Sequence, residues 1–171
     1  DEVVDCIGPA GRHFLLPKDD TTHLIMLGVG TGIAPFRAFA DYIYKDKRRW
    51  SGEIKIFFGA RTEKEATYAN GENGDLIQYR EQKNYQLQEC LSRIDPNDPR
   101  KGYVQVHLQR RMTEIWPLLE SGNFCIYICG LKGVEGGVIE LLQKELAARG
   151  LDWDLWLKEK KAQGRWMIEV Y

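Results

Sequence analysis

LIMLGVGTGIAPFRAF, residues 24–39, is an apolar run that stops at three alternating glycines and restarts as Ala-Pro-Phe-Arg. Four consecutive apolar residues, Leu24 to Leu27, fit a strand buried on both faces. Pro35 suits the first turn of a helix, where a missing N–H costs nothing. The stretch therefore predicts strand, glycine turn, helix. Such a junction aims bare backbone N–H groups and the positive end of a helix at one spot, which favours an anion or a flat ring. Glycines alone are equally the mark of a plain tight turn. This run also lacks the third glycine of G-x-G-x-x-G and the Lys-Ser/Thr pair of a phosphate loop.

Working outward, EIKIFFGAR (53–61) is a second buried strand ending in glycine. After the polar NGENGD (70–75), the stretch DLIQYREQKN (75–84) predicts a helix, and YQLQECL (85–91) alternates as a third strand. The proline-bearing loop SRIDPNDPRKG (92–102) leads into YVQVHLQRRMTEIWPLL (103–119). There Val104, Val106 and Leu108 alternate like a strand, yet Val104, Leu108, Met112, Ile115 and Leu119 keep helical phase much longer, so a helix is expected, one that Pro117 can kink. FCIYICG (124–130) is a fourth strand, and VEGGVIELLQKELAARG (134–150) is a helix closed by Gly150. A short helix at DWDLWLKEKKA (152–162) and a last strand at RWMIEVY (165–171) complete the order. Alternating strands and helices imply an α/β fold, a doubly wound parallel sheet with helices on both faces. Ligands of such sheets sit beyond the carboxyl ends of the strands, where the strand order switches. Gly28–Gly32, Gly59–Arg61, Ser92–Arg93 and Cys129–Gly130 all fall on that rim.

The chain has 171 residues, with 24 Lys and Arg against 25 Asp and Glu, so no global charge excess points to nucleic acid or an anionic membrane. No apolar stretch approaches the roughly 18 residues needed to cross a bilayer, and no signal peptide is visible. Cys6, Cys90, Cys125 and Cys129 are scattered. Cys125 and Cys129, four residues apart on a strand, are separated by ~13 Å, too far for a disulfide or shared zinc ligation. A reducing, intracellular setting is expected, and His13, His23 and His107 have no metal-ligand spacing, so no metal site is assigned.

Ser92, Arg93, Lys101 and Tyr103 bring a hydroxyl, cations and an aromatic ring to one loop, the groups that a ribose phosphate and an adenine need. Taken alone, they also describe an ordinary solvated loop. An NAD site would place an acidic residue there instead. Cys129 precedes a glycine-rich helix start, but nothing nearby activates it as a nucleophile, so a steric and polar role is expected. A terminal aromatic, Tyr171, can stack on a planar cofactor, and Glu169 can exchange a proton beside it.

In order along the chain, GPAGRHFLLP, GVGTGIAPFRAF, SR with K-x-Y, CGLKGVEGG and the terminal EVY resemble the plant-type ferredoxin–NADP(+) reductases, in particular their C-terminal NADP(H)-binding domain. The resemblance implies that Ser92, Arg93, Lys101 and Tyr103 hold the 2′-phosphate and adenine, and that Arg12 reaches the pyrophosphate. It implies a cofactor-binding turn at Gly30, Thr31, Gly32 and Pro35, with Arg61, Gly130 and Leu131 completing the set and Thr31 and Gly130 lining the nicotinamide pocket. Cys129 and Glu169 would sit at the hydride-transfer locus, and Tyr171 would stack on the flavin and be displaced by nicotinamide. The implied cofactors are NADP(H) and FAD, and the implied partner is ferredoxin or another iron–sulfur carrier. Residues 1–18 look like the tail of an upstream FAD-binding barrel, and 19–171 like the NADP(H)-binding domain. The family's Arg-x-Tyr-Ser flavin motif is absent from these residues, so the chain by itself is expected to bind NADP without catalysis. Val29, Arg61 and the long loop KEATYANGENGD depart from the plastid pattern. They leave open a reductase component of an oxygenase system, of the benzoyl-CoA oxygenase type. The expected location is cytoplasmic, with plastid stroma or a thylakoid-associated position as alternatives.

Overall fold

Leu24 and Met26 point to one side of the first strand, Ile25 and Leu27 to the other, and a strand with two apolar faces must lie between two layers. The computed structural model describes residues 14–46, 49–69 and 74–171. In it, β1 (His23–Val29), β2 (Ile54–Ala60), β3 (Tyr85–Leu91), β4 (Phe124–Gly130) and β5 (Trp166–Val170) form one parallel sheet in the order β3-β2-β1-β4-β5. The first helix, α1 (Ala34–Lys45), packs Phe36, Ala40 and Ile43 on one face, against Leu24, Met26, Phe58 and Tyr127. The other face is covered by α2 (Val104–Arg110), α3 (Met112–Glu120), α4 (Lys132–Ala147) and α5 (Trp153–Ala162). The doubly wound α/β architecture expected from the sequence is the one observed. Burying each large apolar side chain is worth ~1.5–3 kcal/mol, so the sheet interior holds the fold and leaves the rim free for other work.

Two expectations fail. Residues 75–84 form turns around a single 3-10 segment, Ile77–Tyr79, instead of a helix. Their backbone bonds span three residues, Arg80 N to Ile77 O and Gln82 N to Tyr79 O. Leu76 and Tyr79 are buried, but REQKN offers nothing to continue an apolar face, so tertiary contacts set the local shape. Tyr79 instead donates to Asp41 of α1 (2.6 Å), and Tyr85 donates to the Leu76 carbonyl (3.0 Å). Residues 104–120 are two helices, not one. The break falls at Arg111 (φ −107°, ψ 14°), while Pro117 lies inside α3. Arg111 leaves helical geometry as its guanidinium reaches Gln86 on β3 and Glu114. The phase survives the break: Val104, Leu108, Met112, Ile115 and Leu119 are all buried.

After β3 the chain returns to the far side of β1 to lay down β4, so the strand order reverses between β1 and β4. A 3-10 turn, Gly30–Ile33, fills the crevice there. Glycine at position 32 is a requirement of close approach, because a Cβ on Gly32 would lie 2.2 Å from the Cys129 carbonyl oxygen. Pro35 is the second residue of α1, in the turn whose N–H groups have no helical acceptor. Phe14, at the start of the described residues, packs on this same domain, 6.0 Å from the Phe36 ring and 5.1 Å from that of Tyr127.

Candidate functional site

Beyond the carboxyl ends of β1, β2 and β3 opens a cavity of about 540 Å³, a size typical of small-ligand pockets. Of the residues singled out in the sequence, Gly30, Arg61, Ser92, Arg93, Tyr103 and Leu131 line it. Main-chain pairing of β2 and β3 continues past the ladder: Ser92 N donates to Ala60 O (3.0 Å) and Arg93 N to Arg61 O (2.7 Å). Arg61 and Arg93 thus stand side by side, both exposed. Among the described residues neither guanidinium has a hydrogen-bond or ion-pair partner. The Tyr103 ring, 63% exposed, stands at the mouth just before α2. Two unpartnered guanidinium groups suit a dianion held through charge-assisted bonds, and an exposed ring beside them suits a stacked base.

Lys101 is placed differently. Its ammonium donates to the carbonyls of Ser92 (2.7 Å) and Ile94 (3.3 Å), so it braces the loop that carries Ser92 and Arg93 and is not on the cavity wall. Gln105, Glu65, Cys90 and Val134 do line the cavity and were not singled out in the sequence. Gln105 lies in the first turn of α2, two residues after Tyr103, and Glu65 in a 3-10 turn after β2; no motif marked either.

A second group gathers at the β1–β4 switch, outside that cavity. Thr31 and Tyr171 share a hydroxyl–hydroxyl hydrogen bond, and Tyr171 N donates to the Gly130 carbonyl (3.0 Å). Tyr171 is thus held to the glycine turn by its hydroxyl and to the end of β4 by its backbone, with its ring 60% exposed. Cys129 and Glu169 are direct partners across β4 and β5. Burial raises the Cys129 thiol pKa and the Glu169 charge raises it further, so the sulfur stays protonated near neutral pH. Gly32 and Pro35 shape the turn without reaching the cavity wall. Arg12, with Cys6 and His13, lies outside the described residues.

Among the described residues no three His, Cys, Asp or Glu side chains gather to hold a metal. Cys90, Cys125 and Cys129 are buried free thiols. No helix of those residues is long and apolar enough to cross a membrane.

A family model described as the oxidoreductase NAD-binding domain matches residues 26–139, from β1 through the first half of α4. Chloroplastic ferredoxin--NADP reductase from Spinacia oleracea is 34% identical over 172 residues, covering 98% of this chain and 46% of that protein. The leaf isozyme 1 from Arabidopsis thaliana is 34% identical over 168 residues, covering 96% and 46%. Ferredoxin--NADP reductase from Spirulina sp is 35% identical over 170 residues, covering 96% and 56%. The chain spans about half the length of these relatives, and they bear out the resemblance read from its motifs. The match contains the glycine turn, Arg61, the Ser92–Tyr103 loop and Gly130, both halves of the rim except its last strand, and on it the chain belongs to the oxidoreductase NAD-binding domain family.

Proposed function

We propose that this chain is the NADP(H)-binding part of an FAD-dependent ferredoxin–NADP(+) reductase. One observation carries the reading: the two unpartnered guanidinium groups of Arg61 and Arg93 on the cavity wall, with the Tyr103 ring beside them. The donor set fits an adenosine 2′-phosphate, and Glu65 on the same wall makes no ion pair with either arginine. Ser92 adds a hydroxyl, and Lys101 keeps the loop in place.

The bound cofactors supply the redox chemistry, hydride exchange between nicotinamide and FAD and one-electron transfer to ferredoxin. This chain's own residues bind and orient. Tyr171 occupies the two groups assigned to the nicotinamide pocket, the Thr31 hydroxyl and the Gly130 carbonyl. Moving Tyr171 aside frees both for a carboxamide. Cys129 offers a neutral thiol, and Glu169 holds a carboxylate at the outer edge of the same locus, able to accept a proton.

Residues 1–18 belong, on this reading, to the end of an upstream flavin barrel. The relatives named above are ferredoxin reductases, which favours ferredoxin over an oxygenase component as partner. The proposed setting is the cytoplasm, with the plastid stroma as the alternative that the chloroplastic names of the plant relatives favour.

The test is Arg93→Ala, with NADP+ and NAD+ affinities measured calorimetrically on the intact protein. A charge-assisted bond is worth ~1.5–3 kcal/mol, so NADP+ affinity falls at least about tenfold while NAD+ affinity is nearly unchanged. Equal loss for both nucleotides refutes the assignment.

A further inference from the structure

Arg100 lies outside the cavity wall and outside the motif set, yet its guanidinium gathers carboxylates from three elements. Its Nε and Nη2 bond Asp98 of its own loop (3.0 and 2.7 Å), its Nη1 bonds Glu89 of β3 (3.2 Å), and its Nη2 also meets Glu63 in the turn after β2. Glu89 is 8% exposed and is shared with Arg80 (3.2 Å). The main chain of the same residue is equally engaged. Arg100 N donates to Asp98 Oδ1 (2.8 Å), and its carbonyl accepts from Leu91 N (2.8 Å) and from His107 Nε2 (3.0 Å).

These attachments have a consequence for the rim. Glu63 is two residues beyond Arg61, and Leu91 is two residues before Arg93. Besides the Arg100–Glu63 pair, the turn and the loop meet through the last rungs of main-chain pairing and the Ser92 hydroxyl on Ala60 O, and the two cations they carry repel each other in the absence of an anion. A planar fork that binds carboxylates on both segments opposes that repulsion in a way that a point charge cannot. We propose that Arg100 is a positioning residue for 2′-phosphate selectivity, tying the turn after β2 to the loop after β3 so that Arg61 and Arg93 stay side by side.

This rests on the function proposed above, and the test separates the two. Affinities for NADP+ and NAD+ are measured on the intact protein, its Arg100→Gln variant and its Glu63→Gln variant, with melting temperatures as controls. Glu63 is the informative position because charge and geometry predict opposite signs. Removing a carboxylate near a dianion site strengthens NADP+ binding if charge alone matters. Reducing the tether from a charge-assisted bond to a neutral one weakens that binding if Arg100 positions the rim. The expected result is at least a threefold loss of NADP+-over-NAD+ preference in Glu63→Gln and at least a tenfold loss in Arg100→Gln, with NAD+ affinity within twofold of the parent. A preference unchanged or raised in Glu63→Gln, or both nucleotides weakened equally, overturns the inference. Should Arg100→Gln fail to fold, Glu63→Gln decides alone, since that side chain is 58% exposed. A parent protein that binds both nucleotides equally refutes the proposed function itself, and this inference with it.

Discussion

Replacing Gly32 by alanine tests how the switch point is built. The new Cβ would stand 2.2 Å from the Cys129 oxygen, 2.4 Å from the Cys129 carbonyl carbon and 2.7 Å from Gly130 N. Ordinary van der Waals contact begins at 3.4 Å, so a shift of about 1.2 Å is needed. All three atoms belong to the backbone of β4, at the end of the strand beside β1, and no flexible side chain can absorb the shift. Overpacking of this kind costs ~1–3 kcal/mol, and a wholly main-chain clash belongs at the upper end. For a domain of this size each kcal/mol is worth ~2–4 °C, so Gly32→Ala should melt ~6–12 °C below the parent. Gly30→Ala is the control. Gly30 has φ 59° and nothing within 4 Å of its would-be Cβ, so it incurs only the left-handed backbone cost of ~1–2 kcal/mol. Thermal unfolding followed by circular dichroism in one buffer ranks the pair. A Gly32→Ala protein melting within ~1 °C of the parent, or above Gly30→Ala, refutes the close-approach reasoning.

Hydrogen bonds from the Arg100 side chain and backbone hold the Asp98 carboxyl at about 2, below its ordinary 3.8. A depressed folded value means that its contribution is fully present above pH 3.8 and is lost as pH falls toward 2. Carbon-detected NMR titration should place Asp98 near 2 in the parent and higher, between that value and the ordinary 3.8, in Arg100→Gln, where the backbone N–H still donates; identical midpoints refute the pairing. Burial first, then the neighbouring carboxylate, raises both the Cys129 and the Cys90 thiol pKa. Iodoacetamide at neutral pH should therefore leave both unlabelled until the protein is unfolded in urea. Rapid native labelling of Cys129 contradicts its role as a neutral group.

The two-faced run Leu24–Leu27, the strand-end glycines and the terminal EVY make the sheet and its rim legible in the sequence, because a buried parallel strand leaves a composition that little else does. The crossover between β2 and β3 was not legible. Its apolar residues, Ala66, Ala69, Leu76 and Tyr79, are buried one at a time by α1 and neighbouring aromatic rings, with no period to read. At Arg111 the phase was legible and the break was not, since it depends on a bond to Gln86, distant in sequence. At the site, residue types pointed to the loop from Ser92 to Tyr103, part of which lines the cavity. They did not separate Arg93, whose guanidinium is unpartnered, from Lys101, whose ammonium is spent on two carbonyls. That distinction, and the web around Arg100, exist only once three elements meet.

The most direct test of the account is a crystal structure of the intact protein with NADP+ bound. The account predicts the 2′-phosphate within hydrogen-bonding distance of both Arg61 and Arg93, with the adenine stacked on Tyr103. A 2′-phosphate directed into solvent and touching neither arginine contradicts it.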